Sequence, residues 1–540
     1  MRRLAGLLAI SVVAAGGVFA GLAVGDTGAH AGCGSTSTHT ETGKSRKTVT
    51  VPASSDKGCP PKGSTEKQTA PGRTEGAPGV PTPTGTTVTT TPPPNSPPGL
   101  ANLWVGNAGK CPYSATPVSY NPATACSTMQ AALAAAPLSG ATVRLHCGSY
   151  APQTLTTSRK SGTTTFASEA GRCATINANG GAAVTLGNGV SYVTLDSLTF
   201  NGLVRGSIAT GIGNNHVTVS NNSIDVDQKV DGPLVQFSVG DYIAITGNVI
   251  GPSCCGYNGG NGVTPNGIRI GKPNSAVASC TTQVCHLTIT DNLIQYTVRD
   301  CALWPSGGHG ACPDTSCSNA AGCHADGIQI WGVDGATISR NRLYGVECQA
   351  IFFEISNNSL NRNVAVIGNA ISTVAGGCGN KGIYIRASGS TNGSTDGFAG
   401  AWTIAFNSGG GTLIGPNGCG QCWPSTTFTL VGNAMPLFVT DTAGNNAGCT
   451  AWGPATVTYL YNVWQLGGTG KACGATDTVA ATPFVSNAFA PATGIDLHLN
   501  GAPTPADTFV PAAECALAPI DIDGNGRTVN GACAAGAFRR

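Results

Sequence analysis

HADGIQIWG (324–332), GATISRNRLYG (335–345), QAIFFE (349–354), NVAVIGNAI (363–371) and KGIYIR (381–386) make one stretch in which two short patterns alternate. One pattern reads small-Ile-x-apolar and carries polar or aromatic residues between its apolar ones. The other reads apolar-x-apolar-x-x-Asn-x-apolar. Alternation with a period of two over about 4–8 residues marks a half-buried strand. Two strand types recurring in a fixed order mean a repeat architecture.

The second pattern extends well beyond this stretch. It occurs as VTVSNNSI (217–224), IAITGNVI (243–250), LTITDNLI (287–294), ATISRNRL (336–343), VAVIGNAI (364–371), FTLVGNAM (428–435) and VTYLYNVW (457–464). A first copy, VTLDSLTF (193–200), has Leu198 in the Asn slot, and a weaker one ends at Asn407. Neighbouring Asn positions are mostly 26 to 29 residues apart, while two gaps of 44 and 49 leave room for extra loops or a degenerate coil. Strand spacing alone would admit a β-sandwich or a propeller. A repeat this short, strand-rich and Asn-punctuated fits one coil of a parallel β-helix. Stacked Asn side chains can then hydrogen-bond from coil to coil, as in other stacked-strand assemblies.

Composition agrees with a solenoid. The chain has 540 residues, 77 of them Gly, with 41% hydrophobic and only 10% charged residues. Length alone suggests several domains, but a solenoid grows without needing a new core. Met1 to Ala31 read as an export signal: Arg2 and Arg3, an apolar run over 4–25, and a small-x-small cleavage site at Ala29-His30-Ala31. The run is also long enough for an uncleaved anchor, and Ala31-Gly32-Cys33 partly resembles a lipoprotein cleavage box. Secretion ranks first and membrane or lipid anchoring second, giving a secreted or cell-surface protein. Residues 32–100 read as a disordered Pro/Thr-rich linker with little to bury. The remaining 101–540 are near neutral, which offers no electrostatic footprint for nucleic acid. The 22 cysteines of an exported chain are expected to be disulfide-bonded. Cys419-x-x-Cys422 lacks a second such pair, so no zinc site is expected.

The folded part opens with Leu103-Trp104-Val105. Ser127-x-x-Gln130 reads as a capping box for a short helix, 128–136, stopped by Pro137. Such a helix would cover the open strand edges of the first coil. The order of WV, a short Ala-rich helix, GATVRL and GSY (140–150), then Asn-punctuated coils resembles the secreted right-handed parallel β-helix proteins of the pectin-lyase-like superfamily. The tail DLHLNGAP (496–503) and DIDGNGR (521–527) resembles the ending common in that group. The resemblance spans 101–540. It implies an all-β, right-handed parallel β-helix over 101–500 with a short N-terminal capping helix and an irregular C-terminal cap over 501–540. It implies no single activity, because the fold hosts lyases, hydrolases, epimerases and non-catalytic surface proteins.

Candidate chemistry comes from aligning the first strand pattern: NGIRIG (266–271), DGIQIW (326–331), QAIFFE (349–354) and KGIYIR (381–386). Ile268, Ile328, Ile351 and Ile383 fall on one face with Ile270, Ile330, Phe353 and Ile385, and that face is the core. The opposite face stacks two ladders: Arg269, Gln329, Phe352 and Tyr384, then Gly271, Trp331, Glu354 and Arg386. Aromatic rings stack on apolar sugar faces, and forked polar groups fix hydroxyls or carboxylates. Arg269, Gln329, Trp331, Lys381 and Tyr384 are therefore expected to bind substrate. The bland reading is a solvent-facing ladder partly covered by a loop. His324, Asp326, Glu354 and Arg386 are the catalytic candidates. Asp326 or His324 would abstract a proton alpha to a uronate carboxylate held by Lys381 or Arg386. Alternatively, Asp326 and Glu354 would form the carboxylate pair of a glycosidase. Asp before Gly is also an ordinary turn residue.

Two motifs carry less. Gly308-His309-Gly310 matches one motif of polygalacturonase-like hydrolases, but the chain has no Asp-Asp and no Arg-Ile-Lys. Asp521-x-Asp523-x-Asn525-Gly526 matches half a calcium loop, with Ala532 where the bidentate Glu belongs. A tail turn is expected there, and no cofactor, with calcium bridging an acidic sugar to the groove left open. The function expected is binding, with cleavage by a lyase or hydrolase as a further step, of a polysaccharide of acidic type. The alternative is a non-catalytic surface or matrix protein, and a monomer is expected in either case.

Overall fold

The computed structural model describes residues 99–538, apart from 255–265, 272–279, 299–324, 374–380, 387–396, 416–424, 439–448, 466–471, 481–509 and shorter stretches. The signal, almost all of the linker, Gly308-His309-Gly310, Cys419 and Cys422 therefore lie outside the described residues.

Each coil contributes one strand to a twelve-stranded sheet that runs from Leu103–Val105 to Thr456–Leu460. Every pairing in it is parallel and joins one coil to the next. Two further faces complete the coil. The second holds short strands just after the Asn positions, such as Ser223–Asp225, Leu293–Gln295 and Ala370–Thr373. The third holds Val235–Phe237, Ile268–Ile270, Ile328–Ile330, Gln349–Glu354 and Lys381–Arg386. The solenoid is a right-handed parallel β-helix. Parallel strands need a crossover between them, and here the rest of each coil is that crossover. The gaps of 44 and 49 residues insert no extra coil in this sheet, because Gly240–Thr246 pairs directly with Val284–Thr290, and that strand with Val333–Ser339.

The recurring Asn is the corner between the first two faces. Asn222, Asn248, Asn292, Asn341, Asn369, Asn407, Asn433 and Asn462 are at most 1% exposed. Each of the first seven donates from Nδ2 to the Oδ1 of the next, over 2.9–3.0 Å. Each Oδ1 from Asn248 onward also accepts the backbone N–H of the preceding Asn, at 3.0–3.1 Å. The amides thus point the same way along the solenoid and end on Asp477, whose Oδ1 accepts from both nitrogens of Asn462. Leu198, in the Asn slot of the first copy, supplies only its backbone N–H, to Asn222 Oδ1. The residue before each Asn takes the left-handed conformation that bends the chain, with φ of 52–65° at Asn221, Gly247, Asp291, Arg340, Gly368, Phe406, Gly432 and Tyr461.

Inside, Ile, Val, Leu and Phe from all three faces form one continuous core. The helix Met129–Ala135 adds Met129, Ala132 and Leu133 to it at the N-terminal end. Its cap is Thr128, whose Oγ1 accepts from Ala131 N at 3.0 Å, one residue later than the capping box expected at Ser127. Gln130 turns away from the cap and accepts from Thr156 N at 2.7 Å.

The tail over 510–538 lies along the flank of the coils. Val510, Cys515, Ile522 and Phe538 share a cluster with Ala370, Phe406, Ala434 and Val463. Asp523 pairs with Arg342 at 2.5 Å, and the buried Arg527 sits over the Phe406 ring. Asp521 Oδ1 accepts from the backbone N–H groups of Asp523 and Asn525. Its carboxylate serves the expected tail turn. Five disulfides join described cysteines: Cys111–Cys126, Cys147–Cys173, Cys280–Cys285, Cys449–Cys473 and Cys515–Cys533. Cys348 is disulfide-bonded as well.

Candidate functional site

The third face places the site. Its strands alternate inward and outward, and Ile268, Ile328, Ile351 and Ile383 are fully buried together with Ile270, Ile330, Phe353 and Ile385. Register then stacks the outward residues as the sequence alignment requires. Arg269 stands beside Gln329, Gln329 beside Phe352, and Phe352 beside Tyr384. The column runs on past the expected residues through Gln236 to Arg205. A signal for these two was present, because LVR (203–205) and VQF (235–237) share the apolar-x pattern of IRI (268–270).

In the second column Glu354 is the organising group. Its Oε2 accepts from Trp331 Nε1 at 2.6 Å and from Gln329 Nε2 at 3.1 Å. Its Oε1 lies 3.6 Å from Arg386 Nη1. The indole is fixed by that bond, and the Arg269 guanidinium lies over its ring at 5.3 Å. Arginine stacks well in this way because its planar cation is weakly hydrated. Burial, reinforced by the like charge of Arg205, pulls the Arg269 pKa down to about 10. Phe352 and Tyr384 stack with centroids 5.2 Å apart, and Lys381 Nζ sits over the Tyr384 ring at 4.7 Å. Burial lowers the Lys381 pKa, Arg386 lowers it further, and Asp326 opposes both. Burial raises that of Tyr384. The five expected binding residues, with Glu354 and Arg386, are thus brought together.

Asp326 stands beside this cluster but faces inward. It shares the parity of Ile328 and Ile330, is 0% exposed, and stands in a buried polar ladder. Asn266 Oδ1 accepts from Asp326 N at 3.0 Å, and Asp326 Oδ1 accepts from Gln349 N at 3.1 Å. Its Oδ2 is buried without a hydrogen-bond partner, so a role as general base, or in a carboxylate pair with Glu354, would need the carboxyl to be uncovered. His324 lies outside the described residues.

Burial pushes the Asp326 pKa from the ordinary 3.8 up to about 8; the backbone N–H of Gln349 opposes the rise and Glu354 adds to it. A carboxyl whose folded pKa lies above its unfolded one keeps its proton in the folded state alone across that window. Stability should therefore fall as pH rises from about 4 to about 8, at roughly 1 kcal/mol per pH unit. Asp326→Asn keeps the acceptor for Gln349 N and removes the titration. Urea unfolding at pH 5 and pH 8 should show a drop for the parent that is largely absent in the variant. Equal drops would place the titrating group elsewhere.

No family model and no curated protein matches the chain. Solved structures do. The PL6 family alginate lyase AlyGC is 11% identical with a TM-score of 0.34, and the match covers 64% of this chain and 51% of that one. The chain therefore spans about half the length of that enzyme. The pectate lyase Pel9A is 12% identical with a TM-score of 0.33, over 82% of this chain and 98% of that one. The Streptococcus pneumoniae surface protein and adhesin PfbA is 12% identical with a TM-score of 0.32, over 63% and 91%. The likeness is one of fold.

Proposed function

We propose that this chain is an exported protein that binds an acidic polysaccharide across the third face of its β-helix. The observation that carries the reading is the charge of the cluster. Arg269 lies over Trp331, Lys381 over Tyr384 and Arg386 against Glu354, the carboxylate that is already bonded to Gln329 and Trp331. Partly buried cations held on aromatic rings are suited to a carboxylate-bearing ligand, with guanidinium groups fitting its oxygens in bidentate fashion. Trp331 and Tyr384 supply ring surface for the apolar side of a sugar. The disulfides fit an oxidising compartment outside the cytosol. Alginate lyase and pectate lyase among the solved structures of like fold are named for acidic polymers, which agrees with this choice. Affinity electrophoresis in gels holding alginate, pectate or a neutral glucan tests it. Retardation by an acidic polymer, weakened by salt, is expected. Equal mobility in all three gels would sink the reading.

A second reading, cleavage by β-elimination, is favoured by Lys381. Burial and Arg386 both lower its pKa, the direction that favours the neutral amine a base requires. In that reaction Lys381 Nζ takes the proton alpha to the uronate carboxylate, and Arg269 or Arg386 holds the carboxylate as charge develops on it. The electron pair closes the ring C=C bond as the glycosidic C–O bond breaks, and Tyr384 gives its proton to the leaving oxygen. Lys381→Met should then lower the release of ultraviolet-absorbing unsaturated uronate by ~10²–10⁴ while polymer binding is kept. If the parent releases none from any polymer it binds, the chain is a glycan-binding surface protein.

A further inference from the structure

The twelve-stranded sheet, which the site above does not use, carries its own outward pattern. Register aligns one solvent-facing position on eleven successive coils from Thr142 to Thr458. Nine of the eleven are Thr, and the other two are Ala244 and Ala365. Strand propensity favours Thr, but it favours Val, Ile and Tyr as well, and solvent-facing strand positions tolerate charge. A column kept this uniform and uncharged presents hydroxyls at the inter-strand spacing of about 4.8 Å.

A second column runs beside it, at the corner where each coil enters the sheet. Tyr192, His216, Tyr242 and His286 stack ring on ring, with centroids 4.5–4.6 Å apart. All four are left-handed, with φ of 45–55°. That conformation is unfavourable for a residue with a bulky side chain. The next three coils fill the same corner with Gly335, Asn363 and Gly400, which take it more readily. The aromatic choice in these four coils is therefore not dictated by the bend.

The stack ends at His286, whose ring is held by Asp241 Oδ1 on Nδ1 at 2.7 Å. Beyond it lies Gly335, which has no side chain to lay over the ring; a Cβ there would meet His286 N, Cδ2 and Cα at 3.8–4.0 Å. A shallow trough of about 550 Å³ opens at this step. His286 and Tyr242 form its end, Thr288, Thr337 and Thr403 its floor, and Asn363 its side. Its volume lies within the range of ligand sites, and among the described residues no Lys, Arg, Asp or Glu lines it.

We infer that this trough is a second carbohydrate site, distinct from the third face proposed above for acidic glycan, and that it takes an uncharged polysaccharide lying along the solenoid. A sugar ring stacks its apolar face on His286, and its hydroxyls pair with the Thr column and Asn363. The described lining offers a carboxylate no Lys or Arg, so an acidic polymer gains nothing from it, whereas a neutral chain of repeating hydroxyls meets a wall of repeating hydroxyls. The two faces would let one molecule hold two kinds of polymer.

Affinity electrophoresis of the full chain in gels holding xylan, mixed-linkage β-glucan, galactomannan or alginate tests this. At least one neutral polymer should retard the parent. Thr337→Arg places bulk and charge on the trough floor at an exposed position, and His286→Ala removes the ring. Each should weaken the neutral-polymer interaction at least tenfold while leaving any retardation by alginate unchanged. Trp331→Ala, on the other face, should do the reverse. If no neutral polymer retards the parent, or if both trough variants migrate as the parent does, the inference is wrong. A failure of alginate to bind would bear only on the other face.

Discussion

Asn341→Leu should cost about 4 kcal/mol of stability, the largest effect expected for any single side chain here. Asn341 is 0% exposed and sits mid-ladder. Its Oδ1 accepts from Asn292 N at 3.1 Å and from Asn292 Nδ2 at 2.9 Å. Its Nδ2 donates to Asn369 Oδ1 and to Ile289 O. Leu has a similar size, so the change leaves little cavity and acts through hydrogen bonding. It strands a buried N–H at Asn292, one amide hydrogen of the same residue, and the carbonyl of Ile289. Each such group costs about 1–3 kcal/mol when left without a partner. Aligned amides also polarise one another, so removing a middle member weakens those on either side. The urea midpoint of Asn341→Leu against the parent checks this. A loss under about 1 kcal/mol would mean that the corner is held by backbone pairing alone.

Trp331→Ala should weaken binding of an acidic polymer by roughly 10- to 100-fold, equivalent to about 1–3 kcal/mol. Three things go together in that change. The sugar loses a ring to stack on. Arg269 loses the surface that holds its guanidinium. Glu354 loses the indole N–H at 2.6 Å and becomes free to neutralise the nearby cations. Trp331→Phe separates them, since it keeps a ring and loses only the indole bond. Arg269→Lys adds a further control, because it keeps charge and gives up the planar fork that fits a carboxylate. Affinities from titration calorimetry should rank the parent first, then Trp331→Phe, then Trp331→Ala. If Trp331→Ala binds as the parent does, the third face is scaffold and the acidic-polymer reading falls with it.

The sequence by itself determined the architecture. An Asn that recurs after apolar-x-apolar is legible because the same corner is built again on every coil, and each coil must present the same amide at the same height. The inward Ile and Phe of 266–386 were legible for a similar reason: period-two alternation fixes which side chains share a face, whatever the sheet later packs against. The same parity placed Arg269, Gln329, Trp331, Glu354, Tyr384 and Arg386 together on the outside. The tertiary structure decided what alternation cannot encode. Asp326 stands at a strand mouth, where a residue of inward parity can either open to solvent or turn into a buried ladder, and only the neighbouring Asn266 and Gln349 settle that it is buried. The flanking position of the tail depends on contacts such as Arg342–Asp523, between residues 181 apart in sequence. The ring stack from Tyr192 to His286 was equally hidden, because its members come from four coils and fall into line only once register is set. Local pattern fixes each strand's faces, but the stacking of coils through space determines which outward residues become neighbours.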